Sequence, residues 1–321
     1  MVNLVSSRVI AVTGSAGYIG TQLLQELENE PSLSGLIAVD IKPLAMPIHK
    51  INSYRMDITG PLNTVFHNRH INTVVHLAFD LREGRNQQEV AAIQKNNLLG
   101  LENLLHACRA GRINHFVYLS SHTVYGAFPD NPVPITEDAP LRPLPGFQYS
   151  ESKVRSEQIL QRFSQENPDI TVTVLRCCMV IGPSGTNYVT NSFKKPLLIQ
   201  VLGYDPPLQF IHEKDLARLL AIFSLDPKPG VFNVAAEGVI RYSQLAHILG
   251  RKLLSLPSAL AYPLVQYSWK LKLQRTSSSV GLDLIRYPIV LSTGKLKRTT
   301  PVRFQYTAKE AVNSYSVSSL L

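Results

Sequence analysis

The feature that most constrains the fold is a glycine-rich turn between an apolar run and a helix-like segment near the N-terminus. Residues 8–14, RVIAVTG, are apolar, partly β-branched and end in glycine, which predicts a buried strand. Residues 18–30 carry apolar side chains at helical spacing and are followed by Pro31. A strand that passes through glycines straight into a helix predicts a βα unit, and therefore a parallel sheet.

The same alternation of strand and helix continues for about 235 residues. Because the predicted strands are apolar and β-branched, we expect them to be buried on both faces of a parallel sheet. We therefore predict an α/β fold with a doubly wound parallel sheet. Further strands are predicted at 36–40, 72–78, 115–121, 170–176 and 230–235, and helices at 87–109, from about 148 onward and at 213–223.

Gly14, Gly17 and Gly20 lie three residues apart where the first strand meets the first helix. Glycines there let backbone N–H groups approach a pyrophosphate, whose charge a helix N-terminus favours. Asp40 lies twenty residues after Gly20, at the end of the second strand, where a carboxylate can accept hydrogen bonds from ribose hydroxyls. The carboxylate would also repel a 2′-phosphate, so we expect NAD rather than NADP, although Lys42 could partly offset that repulsion.

The net charge of +9 is concentrated in the C-terminal quarter of the chain. Residues 238–321 carry twelve Lys or Arg and two acidic side chains, whereas residues 1–237 carry twenty basic and twenty-one acidic ones. Such an excess fits a solvated surface, an anionic substrate, nucleic acid or a membrane surface. Residues 257–273 form an amphipathic, aromatic and basic segment that suits an interfacial membrane helix, but we favour a helix packed over the substrate or at a dimer contact.

Length, hydropathy and cysteine content argue against a membrane-spanning protein, a secreted protein and a protein held together by disulfides or a metal. With 321 residues, of which 45% are apolar, the chain can bury a large core, and it contains no run of eighteen apolar residues. The N-terminus passes directly into a strand-like run without a signal-peptide pattern. The three cysteines give neither a disulfide framework nor a metal-ligand spacing. We therefore expect a cytoplasmic protein without a metal site.

Tyr149 and Lys153, in the segment YSESK, are one helical turn apart and would share a helix face. A phenol has a reference pKa of about 10. A neighbouring ammonium favours the phenolate and would lower that pKa. The pair could be a tuned acid/base or an ordinary surface pair, and other segments of the chain must decide between the two.

Ordered motifs over residues 7–250 resemble the extended short-chain dehydrogenase/reductases of the NAD-dependent epimerase/dehydratase family. This resemblance implies a dinucleotide-binding Rossmann core at 1–182, continued by 210–237, and a substrate lobe at 183–209 and 238–321. It also implies NAD as cofactor. The matching segments are TGSAGYIG (13–20), MDI (56–58), VVHLAF (74–79), NNLLG (96–100), LSSHTVYG (119–126), YSESK (149–153), VLRCCMVIGP (174–183) and FIHEKDLARLL (210–220).

The resemblance implies that Tyr149 is the general acid/base at the substrate oxygen. Lys153 would contact the nicotinamide ribose and lower the pKa of the phenol, and Ser121 would steady the same oxygen, with Ser120 the less suitable choice. Such a site serves an NAD-dependent oxidoreductase or epimerase acting on an alcohol or carbonyl. The residues implied to bind the cofactor are Gly14, Ala16, Gly17, Tyr18, Ile19, Gly20, Asp40, Asp57, Ile58, Leu77, Ala78, Asn97, Leu119, Tyr149 and Lys153.

Two departures from the family pattern bear on the substrate. His122 and Thr123 follow Ser121 where family dehydratases carry an acidic pair. Only twenty-six residues separate Pro183 from Phe210, where sugar-nucleotide epimerases usually have a longer segment. We therefore expect a plain oxidoreductase, or an epimerase with an unusual and anionic small-molecule substrate. Candidate substrate-facing residues are Phe79, Asp80, His122, Thr123, Phe147, Gln148, Met179 and Tyr188.

Two alternatives to this enzyme stay open. The first is a catalytically silent NAD-binding regulator or RNA-binding protein that uses the basic C-terminal lobe, although the intact Ser121, Tyr149 and Lys153 count against it. The second is a peripheral membrane enzyme acting on a lipid or sterol-like alcohol. In the segment FIHEKD, His212 is expected to be structural and Asp215 to cap or anchor a loop.

Overall fold

A parallel sheet of seven strands lies at the centre of the described part of the chain, which comprises residues 8–45, 50–66, 69–185, 188–274 and 278–318 of a computed structural model. For residues 63, 64, 188, 189 and 318 only the backbone is described. In chain order the strands are β1 (Arg8–Thr13), β2 (Leu33–Asp40), β3 (Ile51–Arg55), β4 (Thr73–His76), β5 (His115–Ser121), β6 (Thr171–Cys177), β7 (Met179–Ile181), β8 (Leu197–Val201), β9 (Pro207–Leu208), β10 (Phe210–His212), β11 (Gly230–Val234), β12 (Ile240–Arg241) and β13 (Lys252–Leu256).

Helices cover both faces of this sheet, and short 3-10 helices follow β5 at His122–Tyr125 and precede the C-terminal segment at Ser279–Ile285. The α-helices are α1 (Tyr18–Glu28), α2 (Asn63–Phe66), α3 (Gln87–Ala110), α4 (Gln148–Glu166), α5 (Tyr188–Phe193), α6 (Glu213–Leu225), α7 (Tyr242–Ile248), α8 (Ser258–Lys270), α9 (Gly294–Thr299) and α10 (Ala308–Ser318). Among the described residues, no helix is long and apolar enough to cross a bilayer.

The strand order is β3–β2–β1–β4–β5–β6–β11, with every neighbouring pair parallel. The order reverses between β1 and β4, and ligands bind beyond the carboxyl ends of the strands at such a switch point. The doubly wound α/β fold predicted from the sequence is therefore confirmed. The predicted apolar strands are all present, because their side chains are buried between two layers of helices.

The second part of the fold is built around two smaller hydrophobic clusters. One contains Phe193, Leu208 and Tyr242, and the other contains Val201 and Ala261. Strand β8 pairs with β13, and β9 pairs with β12, outside the main sheet. The C-terminal segment is not confined to these clusters, because three of its side chains pack in the main core: Ile289, Leu291 and Leu296.

The segment after β10 joins the two parts of the fold. His212 is the N-cap of α6, where its Nδ1 accepts a hydrogen bond from the backbone N–H of Lys214 at 3.2 Å, and its ring stacks on Tyr306 at 3.8 Å. The carboxylate of Asp215 accepts hydrogen bonds from the N–H groups of Gln305, at 2.9 Å, and Tyr306, at 3.0 Å. As expected from the sequence, His212 is structural and Asp215 anchors a loop.

A buried ion pair connects helix α4 to the sheet. The guanidinium of Arg176, on β6, donates to the Glu157 carboxylate at 2.8 and 3.0 Å. The same carboxylate accepts from the Ser120 hydroxyl on β5, and Arg176 also donates to the Tyr125 hydroxyl at 2.7 Å. Tyr125 in turn donates to Asn233 on β11. Three strands and one helix thus share a single network, which fixes how α4 sits against the sheet.

We expect Arg176→Met to lower the free energy of unfolding by about 3–5 kcal/mol, because it leaves the Glu157 carboxylate charged and unpaired in the core. The double variant Glu157→Met/Arg176→Met should lose less than the sum of the two single changes, since neither charge remains buried. Urea titrations followed by circular dichroism measure the free energies of unfolding of the single and double variants.

The matched control is Lys228→Met, which breaks an exposed ion pair with Asp226 at 3.0 Å and should change stability little. A double variant whose loss in free energy of unfolding equals the sum of the two single losses would contradict the network.

Candidate active site

The glycine turn between β1 and α1 lies against the chain that leaves β4. Gly14 has φ +71°, and a Cβ atom on it would lie 2.5 Å from the backbone nitrogen of Ala78. A Cβ on Gly20 would lie 2.1 Å from the Gly14 carbonyl oxygen. Gly17 is the N-cap of α1 and provides no side-chain cap, so the first N–H groups of the helix are available to a ligand. This turn is shaped for a diphosphate at a helix N-terminus.

Asp40 ends β2 beside this turn and holds it in place. One carboxylate oxygen accepts a hydrogen bond from the Ala16 N–H at 3.0 Å, and the other accepts from the Lys42 N–H at 2.9 Å. A carboxylate has about four acceptor positions, so both oxygens can still accept from a ribose. Asp40 therefore shapes the glycine turn as well as presenting a negative charge at its edge, a role that the sequence spacing did not reveal.

Asp57 and Ile58 follow β3 and are fixed by helix α3. The Asp57 carboxylate accepts from the N–H and the hydroxyl of Thr59, both at 2.9 Å, in an Asx-type turn. Asn103 donates to the Ile58 carbonyl at 2.7 Å. A Cβ on Gly100 would lie 2.7 Å from Ile58, which explains why glycine occupies that position of the NNLLG segment.

Asn97 points at the loop that follows β4. Its side-chain oxygen accepts from the N–H of Asp80 at 2.8 Å, and its side-chain nitrogen donates to the carbonyl of the same residue at 3.1 Å. The described contacts of this amide are thus with the chain itself, and a direct contact with the cofactor stays a prediction. In the structure, Asn97 holds the loop after β4, which carries Phe79.

The predicted catalytic residues come together at the carboxyl end of β5. Ser121 ends that strand and Tyr149 is the second residue of α4, and the Ser121 hydroxyl lies close enough to the phenol to lower its pKa. The Ser121 hydroxyl also accepts from the hydroxyl of Thr123 at 3.0 Å. Ser120 faces the opposite way, toward Glu157, so Ser121 is the serine at the phenol, as the sequence predicted.

Lys153 lies one turn after Tyr149 and is almost fully buried. Its ammonium donates to the Leu119 carbonyl at 2.8 Å and to the Tyr118 hydroxyl at 3.2 Å. It lies 4.0 Å from the centre of the Phe79 ring and 5.8 Å from that of Tyr149. The edge of Phe79 meets the Tyr149 ring at 5.6 Å, so Phe79 packs against both catalytic side chains.

Burial is the largest influence on the pKa values of Tyr149 and Lys153. It raises the pKa of Tyr149 to about 12, against the opposing effect of the nearby Ser121 hydroxyl. Burial also lowers the pKa of Lys153 to about 7, although Glu157 works in the opposite direction. A phenol with this pKa is neutral at pH 7, and a lysine with a pKa of about 7 is only partly charged there. Lys153 is not among the groups that shift the pKa of Tyr149 in the structure, so the lowering of that pKa by the lysine stays a prediction.

The remaining candidate residues lie around this centre with different tasks. His122 donates from Nδ1 to the Cys177 carbonyl at 3.1 Å, and burial lowers its pKa to about 4, so the ring is neutral. Gln148 accepts from the Gly84 N–H at 3.1 Å and donates to the Arg82 carbonyl, which ties α4 to the loop after β4. The ring centre of Phe147 lies 5.9 Å from that of Tyr149, and Leu77 and Ala78 directly follow β4. Met179 is the first residue of β7 and is partly buried, whereas the side chain of Tyr188 lies outside the described residues.

Comparison with known proteins agrees with this geometry. The sequence profile of the NAD dependent epimerase/dehydratase family matches residues 10–235, well over half of the chain. The chain belongs to this family. A UDP-glucose 4-epimerase of Yersinia pestis is 29% identical over 265 residues, which are 71% of this chain and 77% of that enzyme. An uncharacterised protein of Mycobacterium tuberculosis is 28% identical over 320 residues, covering 96% of this chain and 83% of the relative.

Solved structures show the same fold. The UDP-glucose 4-epimerase of Thermus thermophilus, in complex with NAD, superposes with a TM-score of 0.75 at 20% identity, covering 97% of this chain and 99% of that chain. The UDP-Glc/GlcNAc 4-epimerase of Campylobacter jejuni superposes with a TM-score of 0.74 at 18% identity, covering 98% of this chain and 99% of that chain. Membership of an NAD-dependent family confirms the expectation of NAD, and the glycine turn has the shape that a dinucleotide requires.

We expect Asp40→Asn to weaken NAD binding by roughly 10- to 100-fold, because it removes a charge-assisted hydrogen bond to the ribose. The preference over NADP should narrow, since the repulsion of a 2′-phosphate is lost as well. Fluorescence titrations with NADH and NADPH measure both affinities. Lys42→Met is the companion variant, and it should weaken the binding of NADPH without changing the binding of NADH. Tighter binding of NADPH than NADH by the unmodified protein would contradict this interpretation of Asp40.

The buried Lys153 predicts a specific dependence of stability on pH. Its pKa is about 7 in the folded chain, below the usual value of 10.5, so between these values the unfolded chain binds the extra proton. Stability should therefore rise with pH above about 7, by up to about 1.4 kcal/mol per pH unit, and Lys153→Met should abolish this rise. Urea titrations of both proteins between pH 7 and 9 give the difference, and parallel curves would show that Lys153 is not neutralised by burial.

Proposed function

We propose that the protein is an NAD-dependent epimerase or oxidoreductase that transfers hydride at an alcohol or carbonyl carbon, with Tyr149 as the acid/base. The observation that carries this proposal is the cluster of Ser121, Tyr149 and Lys153 at the carboxyl end of β5, beside the glycine turn. A surface pair, the alternative for Tyr149 and Lys153, does not fit a lysine that is almost fully buried.

When bound, NAD would supply the hydride acceptor and donor for the substrate carbon. The residues suited to hold it are Gly14, Gly17 and Gly20 at the diphosphate and Asp40 at the adenosine ribose. Asp57 and Ile58 would adjoin the adenine. Leu77, Ala78, Leu119 and Lys153 would surround the nicotinamide ribose.

The proton steps then belong to the side chains of the protein. The Ser121 hydroxyl, which lies beside the phenol, would position the substrate oxygen. Tyr149 would take the proton of a substrate hydroxyl as the carbon is oxidised, and give it back on reduction. A phenol with a pKa of about 12 is a weak source of phenolate, so a fully charged Lys153 must assist it. A hydrogen bond from Lys153 to a ribose hydroxyl would stabilise that charged form.

We further infer that the substrate is a small anionic molecule of the sugar-nucleotide type. UDP-glucose 4-epimerases of Yersinia pestis and Yersinia enterocolitica match at 29% and 34% identity, and residues 238–321 carry the whole positive excess. His122 and Thr123 stand where an acidic pair would be needed to eliminate water, which favours epimerisation or simple oxidation over dehydration. The short segment between Pro183 and Phe210 indicates a substrate contact that differs from that of the usual sugar-nucleotide epimerases.

Arg286 is the basic side chain that we assign to the anionic part of the substrate. Its guanidinium lies 4.5 Å from the Tyr204 ring and 4.9 Å from the Tyr287 ring, and its buried Nε has no hydrogen-bond partner among the described residues. The 3-10 helix that precedes it lies against the start of α4, where a Cβ on Gly146 would meet Val280 at 3.6 Å. The two terminal nitrogens of Arg286 donate to the hydroxyls of Tyr262, at 3.3 Å, and Tyr204, at 3.1 Å, and the remaining Nε donor suits a phosphate oxygen.

Three substitutions test the chemistry. Tyr149→Phe keeps the ring but removes the titrating oxygen, and turnover should fall on the order of 10² to 10⁴ while NAD binding barely changes. Lys153→Met should impair turnover and NAD binding together. Ser121→Ala should lower turnover less than Tyr149→Phe does, because the acid/base remains.

The measurement combines NADH titration with product analysis by NMR on UDP-glucose, UDP-galactose, dTDP-glucose and simple secondary alcohols. Tyr267→Phe is the matched control, because Tyr267 is exposed and lies on α8, outside the proposed site. Full turnover by Tyr149→Phe would refute the catalytic assignment. NAD binding without turnover of any compound would favour the silent NAD-binding regulator.

A further inference from the structure

Helix α8 is packed into the protein along one face only. Ala261 is fully buried, and Trp269 is nearly so, with the Arg85 guanidinium 5.9 Å from its indole ring. Between them, Gln266 accepts from the hydroxyl and the N–H of Ser279, at 2.9 and 3.1 Å. Through this inner face the helix packs on the rest of the protein, and the opposite face is left to be explained.

The opposite face presents a continuous row of large apolar side chains to solvent. Their spacing of four, three and four residues places them on one side of a helix. Single exposed apolar residues are ordinary on protein surfaces, but an aligned row marks an interaction site. The α8 apolar row consists of Leu260 (60% exposed), Leu264 (49%), Tyr267 (64%) and Leu271 (68%), with Leu273 (77%) just beyond the helix.

The end of α8 holds this row and its basic neighbours in a defined geometry. Lys272 has φ +60°, its N–H bonds to the Trp269 carbonyl at 3.0 Å, and the N–H of Leu273 bonds to the Ser268 carbonyl at 2.9 Å. This is the Schellman arrangement, in which the residue at the position of Leu273 usually packs back on the helix. Leu273 is instead 77% exposed, so it extends the apolar row.

The charges on the helix itself have one sign. Lys270 and Lys272 are both exposed at its C-terminal end, and residues 258–274 contain no Asp or Glu. Asp283, the next acidic residue along the chain, accepts a hydrogen bond from the Tyr262 hydroxyl of the same helix. A second copy of the chain docked through the same face would bring the two pairs of lysines together. An anionic lipid surface, in contrast, accepts the apolar row between its acyl chains and the ammonium groups among its head groups.

We propose that α8 docks the protein on the surface of a bilayer that contains anionic lipids. The helix lies in the plane of the interface, with the α8 apolar row inserted among the lipids and Lys270 and Lys272 at the head groups. Tyr267 suits this position, because its ring is apolar and its hydroxyl can stay hydrated.

Co-sedimentation of the full chain with vesicles tests the proposal. The protein should bind vesicles of equal parts phosphatidylcholine and phosphatidylglycerol, weakly bind vesicles of phosphatidylcholine alone, and dissociate as salt is added. Leu264→Gln/Leu271→Gln, which changes no charge, should lower the partition coefficient about tenfold or more. Lys270→Gln/Lys272→Gln should weaken binding to anionic vesicles by roughly tenfold or more and leave binding to neutral vesicles unchanged.

The control for general hydrophobicity is Val317→Gln, an exposed apolar residue on α10, which should bind like the unmodified protein. Trp269 is the single tryptophan of the chain and packs on the inner face of α8, so unchanged emission in solution shows that each variant keeps the helix docked. Equal binding of the leucine variant and the unmodified protein would overturn the proposal. So would a dimer in analytical ultracentrifugation that the leucine variant converts to monomer, because a second copy would then cover the face.

Discussion

The ion pair between Glu157 and Arg176 is the interaction on which the geometry of the site depends. Helix α4 carries Tyr149 and Lys153, and Glu157 is its next contact with the sheet, one turn further on. Both charges are almost fully buried, with 4% and 6% of their side-chain surfaces exposed. Such a pair is a weak source of stability but is costly to break, because one charge would be left alone in the core. It therefore fixes the orientation of α4 more than it adds free energy.

The same pair affects the electrostatics of the site. Glu157 is the carboxylate nearest in sequence on the same face as Lys153, yet its oxygens are occupied by Arg176 and Ser120. The negative charge of Glu157 raises the pKa of Lys153, but by less than burial lowers it. Burial of Lys153 is thus only partly offset by the carboxylate on its own helix.

Much of the central sheet could be predicted from the sequence, because buried strands are read from apolar, β-branched runs. Strand β3 was missed for the same reason: INSYR lies at the sheet edge with Asn52, Ser53 and Arg55 exposed, so it has no apolar run. The short strands β7, β9, β10 and β12 were also beyond prediction, since two or three residues carry no periodicity. The C-terminal segment was assigned to the lobe alone, whereas Leu291 and Leu296 return to the main core.

The catalytic residues could be found from motif order, but their state could not. The pKa of Tyr149 depends on burial and on the nearby Ser121 hydroxyl, and neither effect is encoded by a spacing of four residues. Asn97 is expected at the cofactor from its motif alone, and its hydrogen bonds to the backbone of Asp80 could not be predicted from that motif. The buried network around Arg176 had one available signal, an arginine inside an otherwise apolar strand, which demands a buried partner.

The loop after β4 is anchored from two helices, by Asn97 of α3 and by Gln148 of α4. With its backbone held at both ends, this loop is poorly suited to swing as a lid. Phe79, which covers the ammonium of Lys153, can nevertheless leave by rotation about its own side-chain bonds. Access to the lysine then depends on one aromatic ring turning on a rigid frame, and not on the closure of a loop or a domain.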